Sequence, residues 1–197
     1  MRRLTYKTFS KLFYYPDAEI ADLLKKGVVS EFLSEMNLTD LQIEDFNGYL
    51  RKFNDVELLL EDLQVEYTGL FITAFPEVPA PVFGSFYFER ELIGESTERI
   101  IEFYEKYDFH VSEEIGEPPD HFAVELEFVF RMIESEIPLE IQALFIKEKI
   151  LSWAEKFAEK IRASAKTPFY PFLINTTINY LKEDLRQIEI KKSGVEL

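Results

Sequence analysis

The stretch EPPDHFAVELEFVFRMI, residues 117–133, decides the fold. Pro118 and Pro119 cannot extend a helix from upstream, and Asp120 offers a short side-chain oxygen suited to capping the one that follows. Phe122, Leu126, Phe128, Val129, Phe130, Met132 and Ile133 then make the next segment apolar around most of its circumference. Such a helix belongs at the centre of a bundle. His121, one of only two histidines, falls in its first turn, where a residue beside an irregular loop is expected to lie near the surface rather than deeply packed. Glu125 lies one turn later on the same face, and Glu127 and Arg131 are spaced to pair.

Outward from this helix, the chain has the composition of a folded globule. It has 197 residues, 47% of them hydrophobic, with 19 Phe and 10 Tyr. A chain this apolar does not stay disordered. Cysteine is absent, which excludes disulfides, thiolate metal sites and thiol nucleophiles and fits a reducing compartment. The formal charge of -15 opposes a phosphate backbone, so nucleic acid is excluded as a partner and basic peptides are favoured. The opening MRRLTYKTFSKLFYYPDAE has a twin-arginine look, but Lys7, Lys11, Asp17 and Glu19 break up the apolar stretch that a signal peptide needs. It reads as a first helix. No apolar run is long enough for a transmembrane span, so the protein is expected to be soluble and cytoplasmic, without membrane insertion.

Only 7 glycines interrupt the chain, and the apolar spacing is mostly three or four. The pattern predicts helices over about 4–15, 17–26, 28–36, 40–53, 55–73, 85–93, 96–107, 120–136, 139–165 and 168–188. This is an all-α, single-domain bundle of about ten helices over residues 1–197. Thr39 or Asp40, Asp55, Ser96 and Asp120 are the expected caps, and Pro16, Pro138 and Pro168 punctuate.

Known catalytic patterns are missing. There is no Gly-x-Ser-x-Gly elbow, no phosphate-cradling loop and no paired Glu-x-x-His of a di-iron bundle. His121 and Glu125, four apart, have the spacing to share a metal ion, but zinc normally takes three or four ligands, and His110 stands in an unpatterned loop.

A second informative stretch is LEDLQVEYTGLFITAFPEVPAPVFGSFYFERELIG, residues 60–94. Tyr67, Leu70 and Phe71 end a helix that runs into the Pro-rich connector 74–84, and Phe83, Phe86, Tyr87 and Phe88 crowd its far side. Aromatics at helical spacing usually belong to a core. A proline-stiffened, aromatic loop in an acidic chain also has the character of a preformed apolar groove with negative rims.

Glu66, Tyr67, Leu70 and Phe71, then Pro79, Pro81, Ser85 and Tyr87, then Pro119, Asp120, His121, Glu125 and Leu126, in that order and spacing, resemble the TorD/DmsD family of redox-enzyme maturation chaperones. The likeness continues through Trp153 and Phe157 to Phe169 and Tyr170 and covers roughly residues 4–188. The Pro-Asp-His piece is its most specific part. Val82 and Phe83 stand where many members carry a Trp, so fine ligand preference does not carry over.

The resemblance implies an all-helical chaperone that is not an enzyme and holds no metal or cofactor. Its partners would be the twin-arginine signal peptide and the apo-form of the catalytic subunit of a molybdopterin-dependent oxidoreductase of DMSO reductase type, with the chaperone a monomer or dimer. The expected peptide-binding residues are Tyr67, Leu70, Phe71, Pro81, Phe83, Ser85, Tyr87, Glu117, Asp120, His121 and Glu125. Glu113, Glu114, Glu117 and Asp120 would form an acidic rim for the peptide's arginines, and His121 would shape the site beside the Asp120 cap. The alternatives are a chaperone for a non-exported nitrate-reductase-type subunit and, in another class, a metal-dependent helical enzyme using His121 and Glu125.

Overall fold

Caps and prolines set most of the helix boundaries. The computed structural model describes residues 1–36, 38–73, 76–91, 93–111 and 116–193. Its α-helical segments are α1 (Arg2–Phe13), α2 (Ala18–Lys25), α3 (Val28–Ser34), α4 (Asp40–Leu50), α5 (Val56–Tyr67), α6 (Gly84–Phe88), α7 (Glu95–Lys106), α8 (Phe122–Glu134), α9 (Leu139–Phe145), α10 (Leu151–Ser164) and α11 (Phe169–Ser193). A π turn, Thr68–Ile72, continues α5, and another, Ile146–Ile150, joins α9 to α10. All ten helices expected from the spacing are present, and the last two π-linked segments are the single expected rod 139–165. Among the described residues no strand forms, and the one extended pairing is an isolated antiparallel bridge between Phe83 and His121.

Thr39 caps α4 in a reciprocal box with Gln42, and Asp55 caps α5 by accepting from the Leu58 N–H at 2.8 Å. Asp17, directly after Pro16, caps α2 through the Ile20 N–H. Ser96 is not a cap. Helix α7 starts one residue earlier, and Ser96 is buried with its hydroxyl donating to Glu89 at 2.6 Å. Glu127 and Arg131 do not pair as their spacing suggests. Tyr14 donates its hydroxyl to Glu127 at 3.0 Å, and Arg131 reaches Glu134 at 3.1 Å. A tertiary partner draws Glu127 away, and Arg131 takes an i,i+3 neighbour in its own helix instead; an exposed i,i+4 pair contributes only a few tenths of a kcal/mol, too little to resist.

The chain divides into two compact units. The first comprises Met1–Tyr14, Val82–Phe157 and Leu181–Leu197. Its axis is α8, where nine of 13 residues are buried, as its all-round apolar pattern requires. Phe13 meets Phe122 edge-on at 4.8 Å, and Phe122 lies 5.4 Å from both Trp153 and Phe157. A second aromatic layer gathers Tyr104, Phe109 and Phe145 around Phe128 at 4.5–5.0 Å. The start of α1 is tied down where Arg2 and Tyr6 both bond Asp184, at 2.6 and 2.7 Å.

The second unit comprises Tyr15–Pro81 and Ala158–Tyr180. Phe46 stacks on Phe169 and Phe172, and Phe71 meets Tyr67 and Tyr170 edge-on at 4.8 and 4.9 Å. Glu66 is buried and accepts from the Lys166 and Thr167 N–H groups at 2.7 and 3.0 Å, just before α11. These two backbone donors have no helical partner upstream, so a side chain from α5 supplies one.

Candidate functional site

Two short segments of the first unit pair through their backbones at the head of α8. The Gly84 N–H donates to the Asp120 carbonyl at 2.9 Å, and the Phe122 N–H donates to the Val82 carbonyl at 3.0 Å. The pair encloses the Phe83–His121 bridge. The end of the Pro-rich connector is thereby stitched to the Pro-Asp-His motif. Gly84 is favoured there by close approach: a Cβ at this position would lie 3.0 Å from Trp153 Nε1.

Asp120 is not the cap of α8. That role falls to His121, whose Nδ1 accepts from the Ala123 N–H at 3.1 Å. The Asp120 carboxylate turns the other way, and its Oδ2 accepts from the Ser85 N–H at 2.7 Å, at the start of α6. The His121 N–H closes a turn onto the Pro118 carbonyl at 3.0 Å, which moves the helix start one residue downstream. A diproline followed by Asp and His leaves two side chains competent to cap. The pull of Ser85 on Asp120 decides between them.

His121 is fully buried, which corrects the expectation that a first-turn residue beside an irregular loop lies near the surface. Tyr14 stacks parallel to its ring at 5.8 Å, and Phe83 meets it edge-on at 5.6 Å. Burial lowers its pKa from 6.5 to about 3, so the imidazole is neutral near pH 7. Because Nδ1 accepts, the proton is assigned to Nε2, which stands 3.7 Å from Glu117 Oε2. Glu117 keeps 28% of its side chain exposed, and partial burial raises its pKa. A neutral imidazole wedged between two rings holds shape; it is not poised for proton transfer.

Glu125 and Asp120 are also fully buried. Glu125 Oε2 accepts from Trp153 Nε1 at 3.2 Å, while Glu125 Oε1, Asp120 Oδ1 and Ser85 Oγ have no hydrogen-bond partner among the described residues. Burial, then the Asp120 charge, pushes the Glu125 pKa well above the ordinary carboxylate range, with Trp153 and Lys149 opposing. Tyr87, on the exposed side, stacks on Trp153 at 5.2 Å. Among the described residues no group of three or more His, Asp or Glu is placed to hold a metal ion.

The remaining expected site residues, Tyr67, Leu70, Phe71 and Pro81, lie in the second unit and are buried; Leu70 and Phe71 are each only 2% exposed. They are core at the α5 end, and the Leu70 carbonyl accepts from the Ala80 N–H at 3.0 Å. The other face of this helix is exposed and apolar, carrying Leu58, Val65 and Ile72. A cleft of about 430 Å³ opens beside it, lined by Tyr15, Glu61, Gln64, Val65, Thr68 and Gly69 among others. Of the expected acidic rim, Glu113 and Glu114 lie outside the described residues, and Asp120 faces inward. Among the described members Glu117 is the one with a partly exposed carboxylate.

The sequence reading passed over Tyr14 and Trp153 as neighbours of the motif and Gly84 as a point of contact. Tyr14 carried a faint signal in being the last aromatic before the Pro16 break. Gly84, isolated within an aromatic run, carried another.

The family model described as nitrate reductase delta subunit matches residues 34–159. Proteins named chaperone protein TorD are similar along most of their length. The one from Aliivibrio fischeri is 29% identical, over 80% of this chain and 80% of its own. That from Shewanella sp. strain ANA-3 is 27% identical, over 95% and 94%. A crystal structure of a candidate redox enzyme maturation protein from Archaeoglobus fulgidus superposes with a TM-score of 0.63 at 30% identity, covering 92% of this chain and 94% of that one. With a family model matching well over half of it and relatives of this kind along most of its length, the chain belongs to the nitrate reductase delta subunit family and is a TorD-type redox-enzyme maturation chaperone.

Proposed function

We propose that this chaperone acts in the cytoplasm on the twin-arginine signal peptide and immature catalytic subunit of a molybdopterin-dependent oxidoreductase of DMSO reductase type, before export. The observation that carries this reading is an apolar surface on a strongly acidic chain. Leu58, Val65 and Ile72 recur every seven residues on the exposed face of α5 and its π turn, beside Glu57 and Glu61, in a protein of net charge -15. A twin-arginine signal peptide has the complementary character, an apolar stretch behind two guanidinium groups.

In this reading the buried Tyr67, Leu70, Phe71 and Pro81 brace the α5 end, and its exposed face takes the apolar stretch. In the first unit Phe83 and Tyr87 are partly exposed, and Glu117 offers a carboxylate to arginine. Ser85, Asp120, His121 and Glu125 serve from beneath by holding these groups in place.

The test is titration of a labelled twin-arginine peptide at low and high salt, beside a peptide with both arginines replaced by glutamine. Exposed charges are screened beyond roughly 8 Å at physiological ionic strength, so binding weakens with salt and weakens further with the glutamine peptide. Equal affinities for the two peptides would remove arginine recognition from the mechanism. A second reading, a chaperone for a nitrate-reductase-type subunit that stays in the cytoplasm, is favoured by the description of the matching family. Capture of partners from the native host separates the two by whether the recovered subunit carries a twin-arginine leader.

A further inference from the structure

We propose that Glu125 is a positioning residue that holds a proton in the folded chaperone, latching the Val82–Ser85 segment to the head of α8. Glu125 cannot touch a client, because it is fully buried. It acts through Trp153, whose indole N–H it accepts at 3.2 Å. That indole is the surface against which Gly84 lies and on which Tyr87 stacks. Glu125 therefore sets the depth at which the 82–85 segment meets Asp120 and Phe122.

Three polar atoms of this cluster, Glu125 Oε1, Asp120 Oδ1 and Ser85 Oγ, are buried without a hydrogen-bond partner among the described residues. Two ionised carboxylates in such a place repel each other and lack solvation, whereas a proton on Glu125 removes its charge and turns one of its acceptors into a donor. The surrounding groups do not remove the need for it. On α8 and the turn before it, His121 is neutral and Glu117 and Glu127 are acidic. From α7 Tyr104 is a buried phenol, its pKa raised by burial, Glu125 and Asp120 in that order. From α1 Tyr14 donates to Glu127. From the π turn before α10 Lys149 offers the one opposing positive charge, the weakest influence on Glu125.

The sign of the pH dependence follows. A proton held more tightly in the folded state stabilises fully below the unfolded pKa, near 4.5, and that stabilisation is lost as pH rises through the raised folded value. His121 has the opposite slope, confined below pH 6.5, and the buried tyrosines act only near pH 10 and above. Between pH 6.5 and 9 Glu125 is left to give the slope, and Glu117, whose pKa burial also raises, is its control.

The experiment is denaturant unfolding from pH 6.5 to 9 on the full chain, wild type beside Glu125→Gln, Glu125→Ala and Glu117→Gln. The wild-type unfolding constant is expected to rise with pH, by at most about tenfold per unit for one proton. Glu125→Gln, a neutral mimic of the protonated acid, is expected to fold, lose that slope and be at least as stable at pH 9, whereas Glu117→Gln keeps most of it. Infrared spectroscopy of the wild type at pH 6.5 is expected to show a protonated carboxyl band that Glu125→Gln lacks. A wild-type profile that is flat, a Glu125→Gln profile as steep as the wild type, a Glu125→Gln protein that does not fold while Glu125→Ala does, or absence of the band would overturn the proposal. Peptide affinity on the same samples rests on the signal-peptide reading: it falls with pH in the wild type and is level in Glu125→Gln. If no peptide binds at any pH while the stability pattern holds, that reading fails and the proton latch stands.

Discussion

Each unit buries a glutamate, and the two are served very differently. Glu66 in the second unit directs one oxygen to two backbone N–H groups, at 2.7 and 3.0 Å. Glu125 in the first unit has one indole donor and an oxygen with no partner among the described residues. Burial alone does not decide what a carboxylate does. The supply of donors does: with two N–H groups the acid pins a helix start, and with one it is driven toward its neutral form. The first arrangement builds structure. The second stores a titratable group beside the motif that marks the family.

The contrast breaks most visibly at Glu66. Glu66→Ala leaves two part-buried N–H groups before α11 without their acceptor, at about 1–3 kcal/mol each. Glu66→Gln keeps an amide oxygen and should recover most of that loss. Urea denaturation of the pair checks both; equal midpoints for Ala and Gln would mean that packing, not acceptance, is what Glu66 provides.

Next in size is His121→Ala, which empties the space between Tyr14 and Phe83 and removes the α8 cap. A loss of about 2–4 kcal/mol is expected from cavity and cap together. Acid unfolding sharpens this. The folded pKa of about 3 means the unfolded chain takes up a proton first, so stability falls as pH drops from 6.5 toward 3. His121→Asn, which can still cap, should lose that part of the acid sensitivity while keeping more stability than His121→Ala.

Gly84→Ala probes the other wall of the latch. Its new methyl would stand 3.0 Å from the Trp153 indole nitrogen, and overpacking of this kind costs about 1–3 kcal/mol. Tryptophan fluorescence reports the displacement directly, since Trp153 is the chain's only tryptophan. An unshifted spectrum with unchanged melting would show that the 82–85 segment is looser than its backbone pairing indicates. Thr39→Ala is the smallest, about 0.5–1 kcal/mol for an exposed cap in the second unit, read from the shift in melting temperature.

Helix content was legible because it depends on neighbours in sequence. The apolar spacing of 120–136 and 139–165, the caps at Thr39 and Asp55, and the punctuation by Pro16 and Pro138 are local properties, and each has its counterpart in the structure. The bundle class followed, and the order of the Pro-Asp-His, Trp and Phe-Tyr landmarks pointed to the family. Ser96 and Asp120 failed as caps for the same reason. Both side chains meet a partner distant in sequence, Glu89 for Ser96 and Ser85 for Asp120, and a local rule cannot see such a partner.

Which residues would stand at the surface was the least legible. Leu70 and Val65 are both apolar on one helix, and spacing alone does not tell which of two apolar faces is covered; the structure buries Leu70 and leaves Val65 64% exposed. His121 looked peripheral because it opens a helix after a loop, yet Tyr14 and Phe83, from far away in sequence, enclose it. The sequence by itself determined the helices, the acidic charge and the motif that names the family, because propensity, periodicity and composition are carried by adjacent residues. Tertiary structure alone decided which acid caps, which acid lacks donors and which aromatic face meets solvent, because burial and hydrogen-bond supply are set by whichever distant segments pack against each side chain.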